Sequence, residues 1–177
     1  EAKKRNIAVP TTWQDLTKPE FKGQIVMPNP ASSGTGYFDV AAWLQLFGDD
    51  NGKGGGWKYM DALHDNIAQY THSGSKPCNM AAQGEYVAGI SFEYRGLVNK
   101  AKGAPIDLVF PKEGLGCDLE AISIYKGTKQ LDAAKKLLDW AASKEAMALY
   151  GKNFAVTAMP GVAPKLDNIP ADYESRL

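Results

Sequence analysis

The sequence predicts an α/β fold on a mostly parallel sheet flanked by helices. Three observations carry that expectation. Short apolar runs alternate with segments whose apolar residues recur at helical spacing. QIVMP, residues 24–28, is an uninterrupted apolar run bounded by Gly23 and Pro28, the pattern of a buried strand. Two loops rich in hydroxyl and glycine residues, ASSGTGY and THSGSKP, each join an expected strand to an expected helix.

Each element follows from local pattern. After QIVMP, Val40, Trp43, Leu44 and Phe47 give Tyr37 to Phe47 a helical stripe, and the glycine-rich GDDNGKGGG ends it. Trp57, Met60 and Leu63 place a second helix over Trp57 to His64. Asn66 to Tyr70 reads as another short strand. A helix around Asn79 to Gly84 follows, with Pro77 near its first turn, where a missing N–H costs nothing. VAGISF is expected as a strand, RGLVNKAKG as a short helix ended by Gly103, and IDLVFP and EAISIY as two further strands. Leu131 to Tyr150 is expected as one long helix, with Ala134, Leu137, Leu138, Ala141 and Ala142 on its apolar stripe. The tail after Pro160, rich in Pro, Asp and Asn, is expected to lie over the surface.

Bulk properties narrow the function classes. The chain has 177 residues, 44% hydrophobic and 23% charged, an ordinary globular profile long enough for a real core. Twenty basic residues balance 20 acidic ones, so there is no general pull toward nucleic acid or an anionic membrane. No apolar run is long enough to span a bilayer, and no signal peptide is visible at Glu1. Cys78 and Cys117 are too few for a four-cysteine zinc site; they are either two free thiols or one disulfide.

ASSGTGY poses the main question. It is either a tight, capped strand-to-helix turn or a cradle for an anion. Ser32, Ser33 and Thr35 offer hydroxyls, and Gly34 and Gly36 let backbone N–H groups approach closely. The helix that follows supplies unpaired N–H groups and the positive end of its dipole. The loop has no Lys, so it is not a Walker A sequence, and GTGYFD lacks the third glycine of a dinucleotide fingerprint. Ser73 and Ser75 before the next helix repeat the design. SGSK, residues 73–76, formally matches the SxxK of penicillin-binding enzymes, but no SDN or KTG accompanies it.

Other candidates are weaker. His64 and His72 form no HExxH, and no Ser-His-Asp set with a GxSxG elbow occurs, so a hydrolase and a metal site lack support. Glu93, Tyr94 and Arg95 follow directly on VAGISF, where strand ends face a ligand crevice. Glu93 is then either an acid for a ligand amine or an ordinary acid at a helix start. Asp118 and Glu120 border the same expected crevice. Acids beside an anion loop suggest a ligand carrying both signs of charge. The residues call for no cofactor.

The order TTWQDLTKPEFKGQIVMPNPASSGTGY, AQYTHSGSKP, GEYVAGISFEYRG, EAISIYKGT and AAKKLLDWAASKEAMALYGKNF resembles the extracellular solute-binding proteins of ABC importers. SFEYRG and FAVTAMPGVAPKLDNIPADYE make it look like the branch assigned to 2-aminoethylphosphonate, which is related to the ferric-iron-binding branch. The resemblance implies a periplasmic-binding-protein-like lobe of type II and a hinged partner lobe. It implies residues 1–120 as the second ligand-binding lobe, and 121–177 as a return segment with C-terminal helices near the hinge. Most of the first lobe is then missing and the chain is a C-terminal fragment. Ser32, Ser33, Gly34, Thr35, Gly36 and Tyr37 inherit phosphonate contact, Ser73 and Ser75 more weakly. Glu93, Tyr94 and Asp118 are candidates for the amine, with Tyr37 as an aromatic alternative. The resemblance implies a periplasmic receptor, not an enzyme, that delivers its ligand to a membrane permease. Where iron-binding relatives carry adjacent tyrosines, this chain has Glu93-Tyr94. Ferric ion with a synergistic anion, a phosphate- or sulfate-type oxyanion, and transferase chemistry at Ser33 or Ser73 stand as alternatives.

Overall fold

A computed structural model describes residues 1–153 and 155–162. The chain divides into two compact units, Glu1–Cys117 and Asp118–Arg176.

In the first unit a three-stranded, all-parallel sheet holds the centre, in the order β2-β1-β3. The strands are β1 (Ile25–Pro28), β2 (Ile67–Thr71) and β3 (Ala88–Gly89). β1 is buried at all four positions, as its unbroken apolar run requires of a central strand. It pairs Ile25 with Ile67 on one side and with Ala88 on the other. The chain passes from β1 to β2 through α1 (Gly34–Phe47) and α2 (Gly55–His64). It passes from β2 to β3 through the seven-residue α3 (Lys76–Ala82), and continues into α4 (Glu93–Ala101).

The core packs one face of β1 against α1, α2 and the entry segment. Leu16, Phe21, Ile25, Met27, Trp43, Tyr59, Leu63 and Ile90 form one buried cluster. Within it Trp43 meets Trp13 and Tyr59 edge-on, at ring separations of 5.4 and 5.3 Å, the preferred geometry for aromatic pairs. The buried Asn66 side chain donates to the carbonyls of Leu16 and Lys18, both at 2.8 Å. That ties the entry segment to the start of β2 and satisfies a polar group the core would otherwise strand.

The strand expectations for residues 87–92, 106–111 and 120–125 need correction. Only Ala88–Gly89 of the first joins the sheet, because the chain turns into α4 at Glu93. The other two segments form no ladder. An apolar run becomes a strand only where a partner edge accepts its backbone, and sequence pattern does not supply the partner.

In the second unit, α5 (Leu131–Ala141) and α6 (Lys144–Lys152) replace the single helix expected over Leu131 to Tyr150. The break falls at Ser143, whose backbone is extended and whose hydroxyl accepts from Ala146 N at 3.2 Å. An N-cap bond of this kind starts a new helix and overrides continuous apolar spacing. The tail expected at the surface after Pro160 lies largely outside the described residues.

Candidate anion-binding loops

The parallel sheet puts the carboxyl ends of all three strands on one edge, where the chain leaves each strand for the start of a helix. ASSGTGY leaves β1 there. Its scaffold is Asn29, whose carbonyl accepts from Ser32 N at 3.1 Å and Ser33 N at 2.9 Å. The Asn29 side chain accepts from Ala31 N at 2.9 Å, an Asx turn. Asn29 N in turn donates to Thr71 O at 2.7 Å, which fixes the loop to the end of β2.

Ser33 caps α1: its extended backbone precedes the helix, and its buried hydroxyl accepts from Gly36 N at 3.4 Å. Gly34 N and Thr35 N, in the first turn, have no intrahelical acceptor. Gly36 is required by close approach. A Cβ there would meet the Pro28 carbonyl at 2.6 Å and backbone atoms of Asn29 and Pro30 at 2.9 Å. Gly34 faces open space. Tyr37 stands exposed, its ring edge-on to Phe38 at 5.7 Å.

The second loop meets the first. Ser32 Oγ lies 3.0 Å from His72 Nδ1. Gly74 sits so close to Thr35 that a Cβ there would strike the Thr35 hydroxyl and come within 3.3 Å of Phe92 Cε1. Ser73 Oγ and Ser75 Oγ share a hydrogen bond at 3.0 Å, and Ser73 Oγ also accepts from Ser75 N at 3.3 Å. Ser91 Oγ donates to the Gly74 carbonyl at 2.6 Å and brings in the segment after β3. Ser32, Thr35, Ser73 and Ser75 therefore belong to one surface built from two loops.

Glu93 and Tyr94 open α4 directly after this junction, both half-buried, with no side-chain cap on the helix. Tyr94 packs on Phe92 at a ring separation of 4.7 Å. The sequence expectation began this helix at Arg95; the structure places Glu93 as its first residue, where a negative side chain suits the positive helix end. Asp118 is exposed and lies in the second unit. Of the two states left open for the cysteines, the structure has the free one: both thiols are unpaired, Cys78 buried and Cys117 exposed. Cys78 is fixed within α3, where burial pushes its thiol up, and Cys117 is exposed.

Sequence reasoning missed Asn29, His72 and Gly74. The Asn-Pro dipeptide at Asn29 was a usable turn signal. No local signal marks His72 or Gly74, since their roles lie in contacts 40 and 39 residues away along the chain, at Ser32 and Thr35.

The architecture defines a class: an α/β fold of the periplasmic-binding-protein kind, with two strand-to-helix loops at the carboxyl edge of its parallel sheet. The comparisons agree. A family model described as bacterial extracellular solute-binding protein matches residues 1–174, and the chain belongs to that family. The structure of the periplasmic binding protein AfuA from Actinobacillus pleuropneumoniae, with exogenous fructose-6-phosphate bound, is 38% identical. It superposes with a TM-score of 0.81 over 99% of this chain and 57% of that one. A Haemophilus influenzae protein without a functional name is 40% identical over 144 residues, 81% of this chain and 40% of its own length. A putative 2-aminoethylphosphonate-binding periplasmic protein of Salmonella typhimurium is 27% identical over 77% of this chain and 41% of that protein. The spermidine/putrescine-binding periplasmic protein of Escherichia coli is 28% identical over 73% and 37%. The chain thus spans about two fifths of the length of these curated relatives.

Proposed function

We infer that these residues form one wall of a periplasmic cleft that captures a small solute through a PO3 group and hands it to a membrane permease. The convergence of the SSGTGY and HSGS loops at the carboxyl edge of the sheet carries this reading. Gly34 N, Thr35 N and the hydroxyls of Ser32, Thr35, Ser73 and Ser75 offer a dense set of donors without a lysine in the first loop. Such a set suits an oxyanion held by directional hydrogen bonds. A second wall, supplied from outside these residues, closes the cleft and excludes water.

The first ligand candidate is 2-aminoethylphosphonate, with Glu93 meeting its amine. The likeness to the Salmonella protein supports it. A phosphate monoester is the second candidate, favoured by the 38% identity to a protein with fructose-6-phosphate bound. Both share the PO3 head, and they differ at Glu93. Calorimetry on the full-length protein tests the reading, with 2-aminoethylphosphonate, ethylphosphonate, fructose 6-phosphate, sulfate, spermidine and Fe(III) as probes. A phosphorus ligand should bind most tightly. Glu93→Gln should weaken 2-aminoethylphosphonate well beyond ethylphosphonate if the first candidate is right. Tight binding of spermidine or Fe(III) alone would sink the reading.

A further inference from the structure

Arg95 has no evident task in the fold. It is the third residue of α4 and half-buried. Its Nε is buried with no hydrogen-bond partner. Among the described residues the salt bridges use Lys4, Arg5, Lys18 and Lys100 as cations, and Arg95 joins none. A guanidinium held partly out of water without a carboxylate is costly, and the usual remedy is a paired anion.

Its neighbours connect it to the second candidate loop. Its Cζ stands 5.8 Å from the centre of the Tyr94 ring, and that ring packs on Phe92. Phe92 is in contact range of Gly74, and Ser91 holds the Gly74 carbonyl. Its charge also reaches Cys78, three residues after Ser75. Burial pushes its thiol up, while the Asn99 amide and the charge of Arg95 pull the other way. Arg95 therefore stands in the first turn of α4, three and four residues after the Phe92 and Ser91 that meet Gly74, and its charge acts on Cys78 in the first turn of α3.

We propose that Arg95 sets the charge preference of the cleft, favouring a dianionic PO3 head over a monoanionic SO3 head on the same skeleton. The proposal rests on the PO3 reading above and adds its charge selectivity. Hydrogen-bond donors alone discriminate poorly between the two heads, since both present three oxygens in the same geometry. A fixed, partly desolvated positive charge attracts the second negative charge of the PO3 group, and Arg never deprotonates to lose that ability.

The test uses full-length protein at one fixed pH near 8 and two ligand pairs: 2-aminoethylphosphonate against taurine, and fructose 6-phosphate against its 6-sulfate. The readout is the affinity ratio within the pair that binds. Wild type should prefer the phosphorus member. Arg95→Gln should reduce that ratio by about tenfold or more, the scale of a hydrogen bond to a charged group. Arg95→Lys, which keeps the charge, should retain most of it. Arg95→Met keeps the aliphatic stem, and as a second neutral variant it should behave as Arg95→Gln does. A wild-type ratio near one overturns the proposal before any substitution is made. A folded neutral variant with an unchanged ratio overturns it while leaving the PO3 reading intact. If wild type binds none of the phosphorus ligands, the PO3 reading falls and this inference falls with it.

Discussion

Ser32 Oγ and His72 Nδ1 stand 3.0 Å apart, joining loops that leave two neighbouring parallel strands. The pair orients the Ser32 hydroxyl at the candidate site and links the two sets of donors. His72→Ala should weaken binding of a phosphorus ligand about 2- to 10-fold, the worth of one neutral hydrogen bond. His72→Asn, whose amide can reach Ser32 from a similar position, should recover part of the loss. Calorimetry of both variants checks this, and an unchanged affinity in His72→Ala would remove the pair from the site.

The glycines of ASSGTGY separate packing from conformational freedom. At Gly36 a Cβ would meet the Pro28 carbonyl at 2.6 Å, backbone that cannot swing aside. Gly36→Ala should cost about 1–3 kcal/mol through overpacking. At Gly34, the first residue of α1, nothing lies within 4 Å. Gly34→Ala should be neutral or stabilising by up to about 1 kcal/mol, because it reduces the freedom of the unfolded chain. Urea unfolding of the two variants gives both numbers. Equal effects would contradict the close approach of the loop to α1.

Asp39 carries a pH prediction. Its Oδ2 is buried without a partner, and burial raises its pKa from 3.8 to about 7. Folded protein then holds this proton more tightly than the unfolded chain does. The linked stability is fully present below pH 3.8, declines as pH rises, and is gone above pH 7. Its size is on the order of 2–4 kcal/mol. Asp39→Asn should remove this slope and be the more stable form at pH 8. Denaturation midpoints for both proteins from pH 4 to pH 8 decide the matter; parallel curves would place Asp39 in solvent.

The free thiols give a simple check of the packing around α3. Cys117 is exposed and Cys78 buried. A thiol reagent should modify one cysteine rapidly in native protein and the second only on unfolding, with mass mapping the fast site to Cys117. Protein without reactive thiols, or a mass two hydrogens low, would restore the disulfide.

How much of this the sequence revealed depends on the range of the interaction. QIVMP became the central strand because an unbroken apolar run needs cover on both faces, which only a central position supplies. The helix after ASSGTGY was legible from Val40, Trp43 and Phe47, but it starts at Gly34, three residues before the expected Tyr37, because the Ser33 cap draws the glycine-rich segment into its first turn. The split of the last helix at Ser143 was not. A cap needs one serine hydroxyl and an extended backbone, and apolar periodicity across Ala141 and Ala142 conceals both. For the loops, the residue types were readable but their assembly was not. His72 and Gly74 matter through Ser32 and Thr35, and sequence spacing carries no trace of those contacts. Arg95 was visible in SFEYRG, yet its lack of an ion-pair partner appears only once the fold is known.

The central claim is that a PO3 group docks on the first turn of α1 and on the HSGS loop. Amide chemical-shift mapping by nuclear magnetic resonance tests it most directly. Isotope-labelled full-length protein is titrated with 2-aminoethylphosphonate and with fructose 6-phosphate. Phosphate oxygens accepting from backbone N–H groups move those amide protons downfield. The account predicts the largest downfield shifts at Gly34 and Thr35, with smaller ones at residues 73–75, for whichever ligand binds. Saturable binding that leaves Gly34 and Thr35 unmoved would contradict it.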